Sequence, residues 1–264
     1  MRKYDSSLTR VGPIFDKLLE RDSTGGTWLN NLLKLADSGQ SPLPSISPLQ
    51  RWGWGTSERG LHPPASLLKW LVQNPRALKL DALKRSSPKV RQLRELLLSG
   101  DKETQQAAVD KLRRPHRSRG WFIFEGTTYP DVYLETETAI IVIEGKRTEA
   151  DITRHTTWMP VRHQVLRHID SAWDIRGQRK VVGMFIVEGI GGAEGEEVPQ
   201  HWRTVCSETT KAETVAGSLP HRSINERDQI AASYIGVTTW QRLCAEFHIP
   251  WEELPDQMST PTKI

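Results

Sequence analysis

The chain has 264 residues, room for one large domain or a core with an appendage. Hydrophobic residues at 37%, with ten tryptophans, are enough to fill a core and exclude a globally disordered chain. The net charge is only +4, no apolar run approaches the roughly 18 residues of a membrane span, and Met1 to Arg10 lacks an apolar signal core, so a membrane partner is not expected.

Residues 12–36 contain two helical stretches, PIFDKLLERD and TWLNNLLKLAD. SGQSPLPSISP (38–48) is rich in Ser and Pro and predicts a linker or extended loop. RWGWGTSERGLHPP (51–64) is irregular, and its tryptophans, Trp52 and Trp54, are expected as loop anchors rather than a base-stacking platform. A short helix with Leu67, Leu68 and Leu71 follows. Ser87 then Pro88 marks the start of the next, with Val90, Leu93 and Leu97 on one face and Gly100 as its stop. Asp101 is placed to cap another, running to about Arg114.

The pattern then changes. WFIFEG (121–126), VYLETE (132–137), AIIVIEG (139–145) and KVVGMFIVEG (180–189) all carry the β-branched and aromatic content of strands. The third is almost continuously apolar, which predicts a central strand covered on both faces. Residues 150–174 between it and the fourth predict helix, broken or restarted at Pro160, and a crossover of that length permits a parallel pair. GIGGAEGEEVPQ (189–200) is an acidic, glycine-rich loop whose spacing and charge do not suit a dinucleotide fingerprint. Two helices close the chain, with capping boxes at Ser223/Glu226 and Thr238/Gln241 and a helix-to-helix turn at GVTTW (236–240). This order predicts an α/β fold divided into a helical, loop-rich extension (1–85), a core (86–190), and a loop with closing helices (191–264).

Charge is unevenly spread. Between Arg76 and Arg119 there are thirteen Lys or Arg against five Asp or Glu, densest in KLRRPHRSRG (111–120). Taken alone, such a run is a solvated helix end; beside a site that takes nucleic acid it becomes a phosphate-contacting surface. Cys206 and Cys244 have no zinc-knuckle spacing and predict buried thiols in a reducing, cytoplasmic setting.

One constellation carries chemistry. Side chains alternate along a strand, so Glu144 and Lys146 share a face, roughly 6–7 Å apart. Charges at the end of an apolar central strand are costly unless paired or bound. Asp131 lies just before the preceding strand, and a hairpin through ETET brings it toward Glu144. Two repelling carboxylates suit a divalent cation with hard oxygen ligands, magnesium or manganese. Lys146 then supplies positive charge, to orient a water, help deprotonate it, or stabilise the transition state. Glu135 and Glu137 near the turn could be read with Glu144 as a carboxylate hydrolase pair, but solvated turn residues is the simpler reading.

PD at 130–131 followed by EGK at 144–146 on an apolar strand, within a helix–strand–strand–strand–helix–strand order, resembles the PD-(D/E)XK nuclease superfamily over roughly residues 88–190. The resemblance implies a restriction-endonuclease-like core with a four-stranded mixed sheet flanked by helices, plus helical N- and C-terminal extensions. It implies Asp131 and Glu144 as ligands to Mg or Mn, the Gly145 carbonyl as a further ligand, and Lys146 as the catalytic lysine. Some members carry a glutamine in the following helix, with a tyrosine four residues later. Here Gln164 takes the first place and His168 the second, a departure from the tyrosine-bearing branches. Others use a Glu from the preceding helix, for which Glu95 and Glu103 are both candidates. The implied activity is endonucleolytic cleavage of DNA, with RNA an alternative substrate. The implied surface is a basic wall of Arg147, Arg154, Arg162 and Arg167, although for any one of them an exposed helix face is the ordinary reading. His163 and His168 lie five apart, on different sides of one helix, which argues against a histidine metal site. Many relatives dimerise, which makes a homodimer an expectation. The competing expectation is a catalytically inactive module of the same fold that binds nucleic acid or a protein.

Overall fold

The computed structural model describes residues 6–38, 47–79, 87–112, 120–149, 152, 158–159, 161–192 and 195–256. It is an α/β protein built on a five-stranded mixed sheet. The strands are β1 (Leu49–Trp54), β2 (Val132–Thr136), β3 (Ala139–Lys146), β4 (Lys180–Val187) and β5 (Tyr234–Thr239), neighbours in that order. β1–β2 and β2–β3 are antiparallel, while β3–β4 and β4–β5 are parallel. The parallel β3–β4 step follows from the crossover through α6 (Gln164–Ile175). Every residue of β3 is buried, as its run of Ile and Val predicts for a strand covered on both faces.

One face of the sheet carries Val132, Leu134, Ile141, Ile143, Met184 and Ile186. It packs against α1 (Gly12–Arg21), α2 (Leu29–Lys34) and α10 (Trp240–Glu246) through Phe15, Leu18, Leu32, Trp240 and Leu243. The opposite face carries Tyr133, Ile140, Val142, Phe185 and Val187. It is covered by α6, α7 (Gln200–Glu208) and α9 (Ile224–Ala232), through Leu166, Ile169, Trp202 and Ile230; α8 (Ala212–Ser218) adds Val215. A third apolar cluster joins α3 (Ala65–Gln73), α4 (Pro88–Leu98) and α5 (Lys102–Leu112) with Phe122, Phe124 and Trp158. Among the described residues, no helix is long and apolar enough to cross a membrane.

The expected four strands become five through one loss and two gains. WFIFEG does not pair as a strand: Phe122 and Phe124 anchor the third cluster, the Trp121 carbonyl accepts from Arg94 Nε at 2.7 Å, and Phe124 meets Trp158 edge-on at 5.2 Å. Its aromatics are side-chain anchors, not sheet residues. RWGW, read as irregular, is the edge strand β1. YIGVTT, read as a helix end and a turn, is β5. There Gly236 (φ +110°) is an extra residue on β5: Gly183 aligns with Tyr234, but Phe185 aligns with Val237. A glycine read as a helix stop is therefore a bulge within a strand. Because β1 and β5 are edge strands of the same sheet, it extends beyond residues 86–190 on both sides.

The Ser223/Glu226 capping box is present, while the next cap shifts by one residue, with Thr239 Oγ1 accepting from Arg242 N. The helix expected over 150–174 is seen as α6; Ile152, Trp158, Met159 and 161–163 are non-helical, and Pro160 lies outside the described residues. So do most of the Ser/Pro-rich stretch and 113–119 of the basic run.

Candidate functional site

The β2–β3 register pairs Val132 with Ile143, so the next position outward sets Asp131 opposite Glu144. Asp131 Oδ2 accepts the Gly145 N–H at 2.7 Å. Glu144 and Lys146 share a face, as their spacing requires, and Lys146 Nζ donates to Glu144 Oε1 at 2.7 Å. From across the crossover, Gln164 Nε2 donates to the same oxygen at 2.5 Å, and His168 Nε2 lies 2.9 Å from Glu144 Oε2. Gln164 opens α6 and His168 follows one turn later on the same helix face. Asp131, Glu144, Lys146 and Gln164 thus meet at one point, at the end of β3 where the helix begins.

Only glycine fits between them. A Cβ on Gly145 would lie 2.8 Å from Trp240 Cζ2 and 3.1 Å from Val11 Cγ2. The Gly145 carbonyl accepts from Ser6 Oγ at 3.1 Å, and the next carbonyl, of Lys146, accepts from Trp240 Nε1 at 3.0 Å. The strand end is therefore clasped by the N-terminal segment and α10.

Charge is distributed unevenly over the two acids. Burial, reinforced by the charge of Glu144, raises the Asp131 carboxyl well above the ordinary range, with a smaller push from Glu58. Burial also pushes Glu144 upward, but Lys146 and His168 outweigh it, and Glu144 ends below its usual value. Lys146 would lose its proton more readily through burial alone, yet Glu144 holds it charged, above its usual value. A fully ionised cluster carries surplus negative charge at Asp131.

Glu58 is the acid that sequence reasoning missed. It follows the short helical turn after β1 and receives a hydrogen bond from Ser7 Oγ at 3.2 Å. Its proximity depends on β1 pairing with β2, and the residues around it gave no strand signal. The upstream candidates Glu95 and Glu103 stand exposed on α4 and α5, whose apolar faces pack into the third cluster with α3, Phe122, Phe124 and Trp158.

The basic wall needs correction. Arg162 is fully enclosed, with Nε 3.1 Å from Glu125 Oε2, Nη2 2.7 Å from Asp170 Oδ2 and Nη1 donating to the Ser218 carbonyl at 2.6 Å. Burying a guanidinium demands such partners, so this arginine ties elements together and does not meet phosphate. Arg167 holds Glu125 and the carbonyls of Gly126 and Thr127. Arg147 is turned to Glu188 and Asp256. Arg154 lies outside the described residues. His163 and His168 do part company: His163 N donates to Ser218 Oγ, while His168 faces Glu144.

The remaining candidates are structural. Glu135 accepts from the Tyr133 hydroxyl at 2.7 Å and pairs with Arg179, and Glu137 is exposed at the turn. Trp54 is buried with its ring N–H on Asp16, whereas Trp52 is exposed. Cys206 and Cys244 are buried free thiols, each pushed up to about 12 by burial.

No family model, curated protein or solved structure matches this chain. Among the described residues, no group of three or more His, Cys, Asp and Glu side chains is spaced to hold one metal ion. The donor chemistry of the pair nevertheless fits a hard divalent cation: two carboxylates sit side by side, and Asp131 carries the repulsion that such a cation relieves.

Proposed function

We propose that this chain is a divalent-metal-dependent nuclease that hydrolyses phosphodiester bonds in DNA. The observation that carries the reading is the convergence on Glu144 of Lys146 from its own strand and Gln164 from the crossover helix, with Asp131 across the register. That convergence supports the resemblance of the sequence to the PD-(D/E)XK superfamily and to its restriction-endonuclease-like fold.

In this reading Asp131, Glu144 and the Gly145 carbonyl would hold magnesium or manganese. The metal would supply a water of lowered pKa and an electrophile for a phosphoryl oxygen. Lys146, held charged by Glu144, contributes as a cation that stabilises charge on the phosphoryl group, in preference to acting as a base. Gln164 orients the Glu144 carboxylate. The buried, unpaired thiols support a cytoplasmic setting.

The test is cleavage of duplex, single-stranded and branched DNA, and of RNA, with magnesium or manganese, by wild type, Lys146→Ala and Asp131→Ala. We expect each substitution to lower the rate by about 10²-fold or more. Unchanged cleavage in both would overturn the mechanism. One observation favours a second reading, a binding module of the same fold. Both Glu144 oxygens already have protein donors, Lys146, Gln164 and His168. Nucleic-acid binding that ignores magnesium, without cleavage of any substrate, would select it.

A further inference from the structure

We infer that His168 is a positioning residue for Glu144 and that Thr128 orients its ring, an inference that rests on the metal-dependent reading above. His168 is 2% exposed and spans two groups, with Nε2 2.9 Å from Glu144 Oε2 and Nδ1 2.9 Å from Thr128 Oγ1. An ionised carboxylate only accepts hydrogen bonds, so Nε2 carries the hydrogen. In the neutral ring Nδ1 is then an acceptor, and the Thr128 hydroxyl donates to it. Glu144 thereby selects the tautomer, and the Thr128 hydroxyl holds the ring in place from its other side.

The strut is anchored at its far end. Thr128 is buried, and its backbone exchanges two hydrogen bonds with Leu61, both 2.8 Å. The preceding carbonyls, Gly126 and Thr127, are gripped by Arg167, the residue beside His168. Helix α6 and the segment leading to Asp131 are therefore locked at the level of His168.

The consequence for Glu144 is a fixed carboxylate plane. Lys146 and Gln164 both donate to Oε1, while among the described residues His168 alone donates to Oε2. With separate donors on each oxygen, the carboxylate cannot rotate freely, and Oε2 keeps the greater spare acceptor capacity. Partners of this kind orient a ligating group before the metal arrives, and their loss typically weakens metal affinity by about 10- to 100-fold.

The experiment uses the full chain and measures Mn²⁺ binding by calorimetry, without nucleic acid, for wild type, His168→Phe, His168→Gln and Thr128→Val. Thermal unfolding checks that each variant is folded. We expect His168→Phe, which keeps a ring and loses the donor, to weaken Mn²⁺ binding by about 10- to 100-fold. His168→Gln, which keeps an N–H donor, and Thr128→Val should each lose less. In cleavage assays kcat should fall while KM for nucleic acid holds. Wild-type Mn²⁺ affinity in folded His168→Phe would overturn the inference, as would equal damage from Phe and Gln, or a wild type that takes up no Mn²⁺. If His168→Phe does not fold, Thr128→Val decides, and unchanged affinity there overturns it. If the metal affinities follow the expected order but wild type cleaves no nucleic acid, the nuclease reading falls and the positioning role stands.

Discussion

Asp131 carries an electrostatic cost that the rest of the fold tolerates. Its carboxyl is raised well above the ordinary value by burial and by Glu144, so the folded chain holds that proton more tightly than the unfolded chain does. Its contribution to stability is complete below the ordinary value of 3.8 and is lost as pH rises through the raised one. At neutral pH Asp131→Asn should therefore stabilise the protein, by about 1 kcal/mol, while abolishing metal-dependent cleavage. Thermal unfolding against pH checks this: the variant's advantage should vanish as pH falls below the ordinary carboxylate value. Asp131, Glu144 and Lys146 were legible in the sequence because each is tied to a strand by one or two residues, where alternation alone fixes direction. Gln164 was legible only through the family resemblance. Glu58 was not, because its place depends on a strand whose glycine, Gly53, and exposed Trp52 hide the alternation.

At the scale of elements, the site depends on how closely α6 lies on the sheet. A Cβ on Gly183 would sit 2.4 Å from Ile169 Cδ1 and 2.5 Å from its Cγ1, so the bare backbone at residue 183 makes room for the buried Ile169 side chain of α6. Gly183→Ala should push α6 outward, costing about 1–3 kcal/mol by overpacking. It should also lower cleavage without touching any site residue, since Gln164 and His168 ride on the same helix. Ile169→Ala should cost less in the Gly183→Ala background than in the wild type, and a double-mutant cycle of unfolding free energies measures that coupling. The central strands were read correctly because full burial leaves a continuous apolar signature. The edge strands escaped because edge positions tolerate glycine, bulges and exposed residues. WFIFEG misled for the opposite reason: aromatic anchors in an irregular segment carry the same composition as a strand.

Across the whole molecule, the arginines expected to face DNA are mostly spent internally. Arg162 joins Glu125 to Asp170, and Asp170 also meets Arg222 at 2.8 Å and His221 at 3.3 Å. This network fastens the crossover helix to the loop before β2 and to the α8–α9 connection. Composition reports how many cations a segment has; which of them point inward depends on carboxylates far away in sequence, such as Glu125. Burial alone would raise the Asp170 carboxyl, but Arg162, His221 and Arg222 outweigh it and hold it below the ordinary range. Its stabilisation is therefore present above the ordinary value of 3.8 and lost as pH falls through the depressed one. Asp170→Asn should cost about 3–5 kcal/mol near neutral pH, by leaving buried cations short of a partner. Chemical denaturation should show the gap narrowing in acid.

The clasp on Gly145 has a consequence for timing. Ser6, which holds that carbonyl, lies 139 residues before it in the chain, and Arg10 nearby is anchored to Glu188 and to the Pro255 carbonyl. Those anchors are made some 180 and 245 residues later. A growing chain can assemble β2, β3 and α6 well before that, but the strand end stays unclasped until the distal segment arrives. Maturation of the centre is thus coupled to translation of residues far beyond it.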